Sequence, residues 1–189
     1  MLDHREVGEV DVTRLADPPG GVAAVAAETT DAGVPTVVAA YGETRTVGDV
    51  TLQVLWPTPA SPTTGPGDGS TANEASVVLL AEVAGVRLLL TGDVEPVGQA
   101  ALARAFPGLR VVVLKVPHHG SRYQDHDWLA SLGARYAVVS VGADNEYGHP
   151  AAETLDALTG QGTEVLRTDR DGDVVVAVRD GRLVALTRD

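Results

Sequence analysis

Three apolar runs end abruptly in polar residues, and that repetition restricts the folds open to this chain. Val86-Arg87-Leu88-Leu89-Leu90-Thr91 runs into Gly92-Asp93. Val111-Val112-Val113 leads through Leu114-Lys115-Val116-Pro117 to His118-His119-Gly120-Ser121. Tyr136-Ala137-Val138-Val139-Ser140-Val141 leads to Gly142, Asn145, Tyr147, Gly148 and His149. Each run has the length and β-branching of a buried strand. Helical segments separate them. Glu95-Pro96 opens one with proline in its first turn, carrying Val97, Ala101, Leu102, Ala105 and Phe106 and stopping at Pro107-Gly108; a shorter one over 127–132 packs Trp128 and Leu129. Alternating strand and helix predicts an open α/β sheet. In such sheets ligands and catalytic groups gather beyond the carboxyl ends of the strands, because loops there can be polar while the strands stay buried. Three of these ends carry one aspartate and three of the five histidines.

The flanking segments read as framework. Val7, Val10 and Val12 alternate weakly and predict one short strand; Pro18-Pro19-Gly20-Gly21 breaks the chain before a short helix over 22–28, closed by Gly33 and Pro35. Strands are expected over 36–40 and 51–56, joined through Gly42 and a Gly48-Asp49 turn, and a hairpin over 77–83 and 86–91 turns at Ala84-Gly85. Residues 57–72 are rich in Pro, Gly, Ser and Thr and predict a long surface loop, of a length that signals function or disorder. After His149, Pro150 starts a helix with Leu155 and Leu158 facing the core. Strands over 163–168, 173–178 and 183–187 follow, the last two as an antiparallel edge turning at Arg179-Asp180-Gly181. A chain of 189 residues without internal repeat reads as a single domain.

The chemistry is narrowed by what the chain lacks. With no cysteine, a metal could be held only through nitrogen and oxygen, and Asp with His is the donor set of zinc or manganese. Ser121 follows the histidine pair, but there is no Gly-x-Ser-x-Gly elbow, and no phosphate-cradling Walker loop occurs. The net charge of −12 opposes non-specific attraction to nucleic acid and anionic membranes. It excludes a DNA-coating protein more firmly than a nuclease, because bound cations place positive charge where a phosphate sits. Thirteen of the fourteen basic residues are arginine; the single lysine, Lys115, reads as left by chance in an arginine-biased chain. Singly, Asp93 could be an Asx turn or helix cap, His149 a capping residue, and the histidine pair a solvated turn. His126 reads as a surface residue, and Asp3-His4 as part of a solvated terminus. No run approaches a membrane span and no signal-peptide pattern opens the chain, so a soluble chain is expected.

Taken together and in order, these residues match a known pattern. Asn73-x-x-Ser76, Leu88-Leu89-Leu90-Thr91-Gly92-Asp93, Leu114-Lys115-Val116-Pro117-His118-His119-Gly120-Ser121, Ser140-Val141-Gly142-x-x-Asn145-x-Tyr147-Gly148-His149-Pro150 and Arg167-Thr168-Asp169-x-x-Gly172 resemble the metallo-β-lactamase-fold domain of ComEC-type DNA-internalization competence proteins. The likeness extends from about residue 35 to residue 178, and within the wider fold it also looks like phosphorylcholine esterase and other phosphodiesterases. The resemblance implies an αββα sandwich with the site along one edge between two sheets. It implies that Asp93 is the carboxylate bridging two metals and His149 a late metal ligand. His118 and His119 would lie over the metals and stabilise developing charge on a scissile phosphate, with Asn73 and Ser121 in supporting catalytic positions.

The family's main metal motif, His-x-His-x-Asp-His, does not occur in this sequence. Its expected place is upstream of residue 1, which would make residues 1–189 the incomplete carboxyl-terminal part of the domain, with apolar edges left exposed. The function implied is that of a segment of a metal-dependent phosphodiesterase or nuclease linked to DNA uptake in competence. The implied partners are single-stranded DNA and a membrane channel domain of the parent protein, and the parent family is membrane-associated. Zinc or manganese would serve the complete domain. Asp93 and His149 supply two of the roughly three protein ligands that a catalytic metal needs, so the chain alone is expected to be inactive and to hold no cofactor by itself. The alternatives are a non-catalytic interaction module or remnant, and a different phosphodiesterase of the same fold.

Overall fold

The computed structural model describes residues 6–67 and 69–188, so Asp3-His4 lies outside the described residues. In chain order the elements are β1 (Val10–Val12), α1 (Pro19–Asp31), β2 (Thr36–Val38), β3 (Thr44–Val47), β4 (Val50–Trp56), α2 (Ser70–Glu74), β5 (Val78–Val83) and β6 (Val86–Leu90). There follow α3 (Pro96–Ala105), β7 (Val113–Lys115), a 3₁₀ turn (Pro117–Gly120), α4 (His126–Ser131), β8 (Tyr136–Val139), α5 (Ala152–Thr159), β9 (Glu164–Arg167), α6 (Thr168–Asp171), β10 (Asp173–Arg179) and β11 (Arg182–Arg188). Strands β3 to β9 make one seven-stranded sheet whose spatial order is the chain order. Hairpin neighbours from β3 to β6 are antiparallel, and the strands from β6 to β9, joined by helices, are parallel. The three apolar runs supply β6, β7 and β8, side by side, so their carboxyl ends open on one edge.

Both faces of this sheet are covered. In β7, Leu114 packs with Leu89, Ala137 and Val139 against Leu102, Trp128, Leu129, Leu132 and Leu158 from α3, α4 and α5. Val113, its chain neighbour, points to the other face with Tyr136 and Leu166. The period-2 alternation of a strand thus produces two apolar surfaces from one continuous run.

Three expectations need correction. The strand expected to begin at Val111 begins at Val113 and takes in Lys115, because the ladder to β8 continues through Lys115↔Val138. The terminal strands do not extend the main sheet; β10 and β11 pair only with each other. Val174, Val176, Leu183 and Ala185 of that ribbon pack on the sheet face opposite the helices, where apolar surface most needed cover. Finally, β2 does not join β4: β2 pairs in parallel with β1, and β4 takes β3, a strand too polar to stand out as an apolar run.

Apolar exposure is present where strands lack a second cover. Val175 and its cross-strand partner Leu186, on the outer face of the ribbon, are 52% and 46% exposed. The Pro/Gly-rich segment is tied down. Ala16 N–H donates to Thr63 O at 3.0 Å, Gly67 N–H to the Asp17 carboxylate at 3.2 Å, and the Arg14 guanidinium to Pro59 O at 2.6 Å. No described helix is long and apolar enough to cross a membrane.

Candidate active site

The site is assembled from three loops, beginning where β6 stops. Gly92 has φ +54°, and a Cβ there would meet Ser76 Cβ at 2.7 Å, so a residue without a side chain is required. This close approach lets the Ser76 hydroxyl accept the Asp93 N–H at 2.9 Å, which fixes the aspartate's backbone. Thr91, fully buried, donates its hydroxyl to Lys115 O at 2.7 Å and ties the ends of β6 and β7 together.

Lys115, read from the sequence as left by chance in an arginine-biased chain, is bonded within the site. Its ammonium donates to Gly92 O at 2.6 Å and lies 3.3 Å from Asp93 Oδ1. Burial holds its pKa below the usual lysine value, and the attraction of Asp93 only partly opposes that. A flexible point charge suits this narrow place better than a planar guanidinium.

The histidine pair sits in the 3₁₀ turn with a backbone that side chains rarely adopt. His118 has φ +45° and His119 φ +53°, both in the left-handed region, at a cost of about 1–2 kcal/mol each. His118 N–H donates to Gly92 O at 3.2 Å, and Ser121 N–H closes the turn on His118 O at 2.8 Å. His118 Nδ1 is buried without a hydrogen bond; the nearest carboxylate oxygen, Glu95 Oε1, is 3.4 Å away. Asn73, predicted as a supporting residue, donates Nδ2–H to that same Glu95 oxygen at 3.0 Å.

His119 Nδ1 lies 2.5 Å from Ser140 O, and since a carbonyl only accepts, the proton is on Nδ1. In the neutral ring Nε2 then presents its lone pair, and it stands 3.6 Å from Asp93 Oδ1.

His149 is held through its backbone. Asn145 accepts His149 N–H at 3.2 Å and returns Nδ2–H to His149 O at 3.0 Å and to Gly142 O at 3.1 Å. The imidazole lies 5.5 Å from that of His118, centre to centre. Its pKa is lowered, chiefly by burial and then by the positive fields of His118, His119 and Arg122, against which Asp93 pulls upward. At neutral pH the ring is therefore a free base, the form that binds metals. A cavity of about 350 Å³ opens beside these groups, lined by His119, Ser140, Asn145, Tyr147, His149 and Thr168.

Ser121 is placed differently from the other predicted site residues. It is 1% exposed; its hydroxyl accepts Tyr123 N–H at 3.2 Å and its carbonyl accepts the Thr154 hydroxyl at 2.9 Å. It holds the turn. His126, expected on the surface, is half-buried, with Nε2 3.5 Å from the Thr154 hydroxyl, because α4 leans on α5. Sequence reasoning passed over Glu95 and Glu74. Glu74 accepts Val97 N–H at 3.2 Å and Gly98 N–H at 2.8 Å, capping α3 from a different element. Pro96 at the helix start was the signal that such a cap was needed.

The donors are of the right kind for a divalent cation. A carboxylate oxygen and an imidazole nitrogen face each other at 3.6 Å. A carbonyl also fixes the imidazole tautomer from behind, as outer partners of metal-ligating histidines do. Their number falls short: among the described residues no three His, Asp or Glu side chains converge as a metal shell.

Asp93, the His118-His119 pair and His149 stand in that order at the strand ends of a mixed α/β sheet covered on both faces. The chain is similar in sequence to competence proteins of the ComEC type. It is 34% identical over 134 residues, 70% of its length, to ComE operon protein 3 of Bacillus subtilis. It is 35% identical over 102 residues, 53% of its length, to Competence protein ComA of Neisseria gonorrhoeae. These matches span only 16% and 15% of the two relatives. No protein-family model matches the chain. A solved structure from Thermotoga maritima, assigned to the metallo-β-lactamase superfamily, aligns with 56% of this chain and 49% of its own at 19% identity and a TM-score of 0.36.

Proposed function

We propose that this chain forms one face of a metal-dependent phosphodiesterase site of nuclease type, serving DNA uptake in competence with single-stranded DNA as substrate. One observation carries the reading: His119 Nε2, left bare by the bond from Nδ1 to Ser140 O, faces Asp93 Oδ1 at 3.6 Å. Asp93 and His149 would hold zinc or manganese with His119 beside them, and a bound cation would supply the positive charge that polarises a phosphodiester. The chain's own residues orient the parts. Ser140 O keeps the His119 proton away from the site, Asn145 holds the backbone of His149, and Lys115 adds a positive charge beside Asp93. His118, backed by Glu95, is placed to steady the departing oxygen. A membrane channel in the parent protein would deliver the strand.

With no third donor converging among the described residues, the chain binds metal weakly and does not hydrolyse DNA unaided. Calorimetric titration with zinc and manganese, wild type against an Asp93→Ala/His149→Ala double variant, tests this. Weak binding lost in the double variant is expected. Binding indifferent to the substitutions would remove Asp93 and His149 from the metal site, and robust hydrolysis abolished by Asp93→Ala would show that the site is complete.

A further inference from the structure

Tyr147 is 84% exposed, more than any other large apolar or aromatic side chain among the described residues. It lies on the loop from β8 to α5, two residues after Asn145, which clamps that loop, and next to Gly148 at φ +71°. Its ring is stacked on His149 at 6.1 Å between centres and 20° between planes. The two planes run nearly parallel, and the exposure leaves the tyrosine ring open at the rim of the cavity lined by Asn145, Thr168 and His119. Ring burial cannot explain this residue, since so little of it is buried. An aromatic plane continuing a histidine plane at the mouth of a phosphate site is the arrangement on which a nucleobase stacks. The exposed Arg122 is near enough to His149 for its charge to be felt there, and it offers a contact for the adjoining phosphate in an otherwise acidic chain.

We infer that Tyr147 is a stacking platform for the base next to the bound phosphate, so that the site prefers nucleotide phosphodiesters over diesters without a base. This rests on the nuclease reading above and adds to it the side chain that meets the base. Stacking is indifferent to base identity, so the preference is for nucleic acid as a class rather than for a sequence.

The test is fluorescence anisotropy at low salt with manganese, using a labelled oligothymidylate and an abasic chain of the same length. The two probes carry the same phosphates and differ only in bases. Wild type should bind the base-bearing strand about tenfold tighter, within the range measured for one stacked base. Tyr147→Ala should bind both strands alike, at the abasic affinity, and Tyr147→Phe should keep the preference. Because the side chain is exposed, neither change threatens folding. Equal binding of both probes by wild type, or a preference that survives in Tyr147→Ala, overturns the stacking role and leaves the phosphodiester site standing. A preference lost in Tyr147→Phe as well assigns the effect to the hydroxyl and also overturns it. Failure to bind either probe removes the phosphodiester reading and this inference together.

Discussion

Replacing Lys115 with methionine should weaken the fold and tighten metal binding at the same time. Methionine keeps most of the stem and removes the ammonium, so packing is nearly unchanged and charge is the variable. Two interactions disappear, the 2.6 Å bond to Gly92 O and the longer 3.3 Å contact with Asp93 Oδ1. Hydrogen bonds to charged groups contribute about 1.5–3 kcal/mol each, and the longer one belongs at or below the bottom of that range. Against this stands the burial of the ammonium, which outweighs the attraction of Asp93 in setting the lysine's pKa and is relieved by the substitution. The net loss is about 1–2 kcal/mol, a fall in melting temperature of roughly 2–8 °C for a domain of this size. For the metal the sign reverses. At 3.3 Å the ammonium attracts Asp93 by about 5 kcal/mol at an effective dielectric of 20, and a cation entering the site must displace part of that. If a quarter of it is at stake, zinc should bind the variant roughly tenfold tighter. Urea unfolding gives the first quantity, with an unchanged slope showing that stability alone has moved, and calorimetry gives the second. A variant with unaltered stability, or one that binds zinc more weakly, would refute the reasoning, the latter by making Lys115 a helper of the metal site rather than its competitor.

Two further outcomes follow from the same geometry. His118→Ala removes a positive neighbour from His149, so the His149 midpoint followed by proton NMR should rise, whereas Asp93→Ala should lower it; no movement in either would show that burial alone sets it. Because the folded-state value lies below the unfolded one, His149 leaves stability untouched above about pH 6.5, and stability is lost as pH falls from there through the folded value. Gly120→Ala should destabilise by about 2–4 kcal/mol in thermal or urea unfolding, since φ there is +79° and a Cβ would come within 2.6 Å of Pro150 Cβ; a neutral result would mean that the turn moves freely against His149.

What could be read from the sequence was local. Runs such as Tyr136 to Val139 announce strands through their own composition, and the polar residues after them announce strand ends, so the edge carrying Asp93, His119 and His149 was legible. The remainder depends on partners distant in sequence. Asn73 meets Glu95 across 22 residues, Lys115 meets Asp93 across 22, and Glu74 caps a helix 24 residues away. None of these bonds leaves a mark in composition or periodicity. The β10 and β11 alternation, for its part, fixes which side chains share a face but is silent on which sheet that face covers. The left-handed histidines could not have been foreseen either, because residues with a side chain seldom adopt that conformation.

The strained pair persists because the three loops are bolted to one another through backbone groups. Gly92 O accepts both His118 N–H and the Lys115 ammonium, joining the β6 end to the turn. Ser140 O receives His119 Nδ1–H, and Gly120 O receives Ala151 N–H at 2.8 Å, joining the turn to the segment on either side of His149. Two left-handed residues cost about 2–4 kcal/mol together, and four such bonds at about 1 kcal/mol each are enough to hold them. None of the four involves a ligand. The opposition of His119 Nε2 to Asp93 is therefore built into the folded chain. Lys115, the chain's single lysine, already places a positive charge 3.3 Å from Asp93 Oδ1.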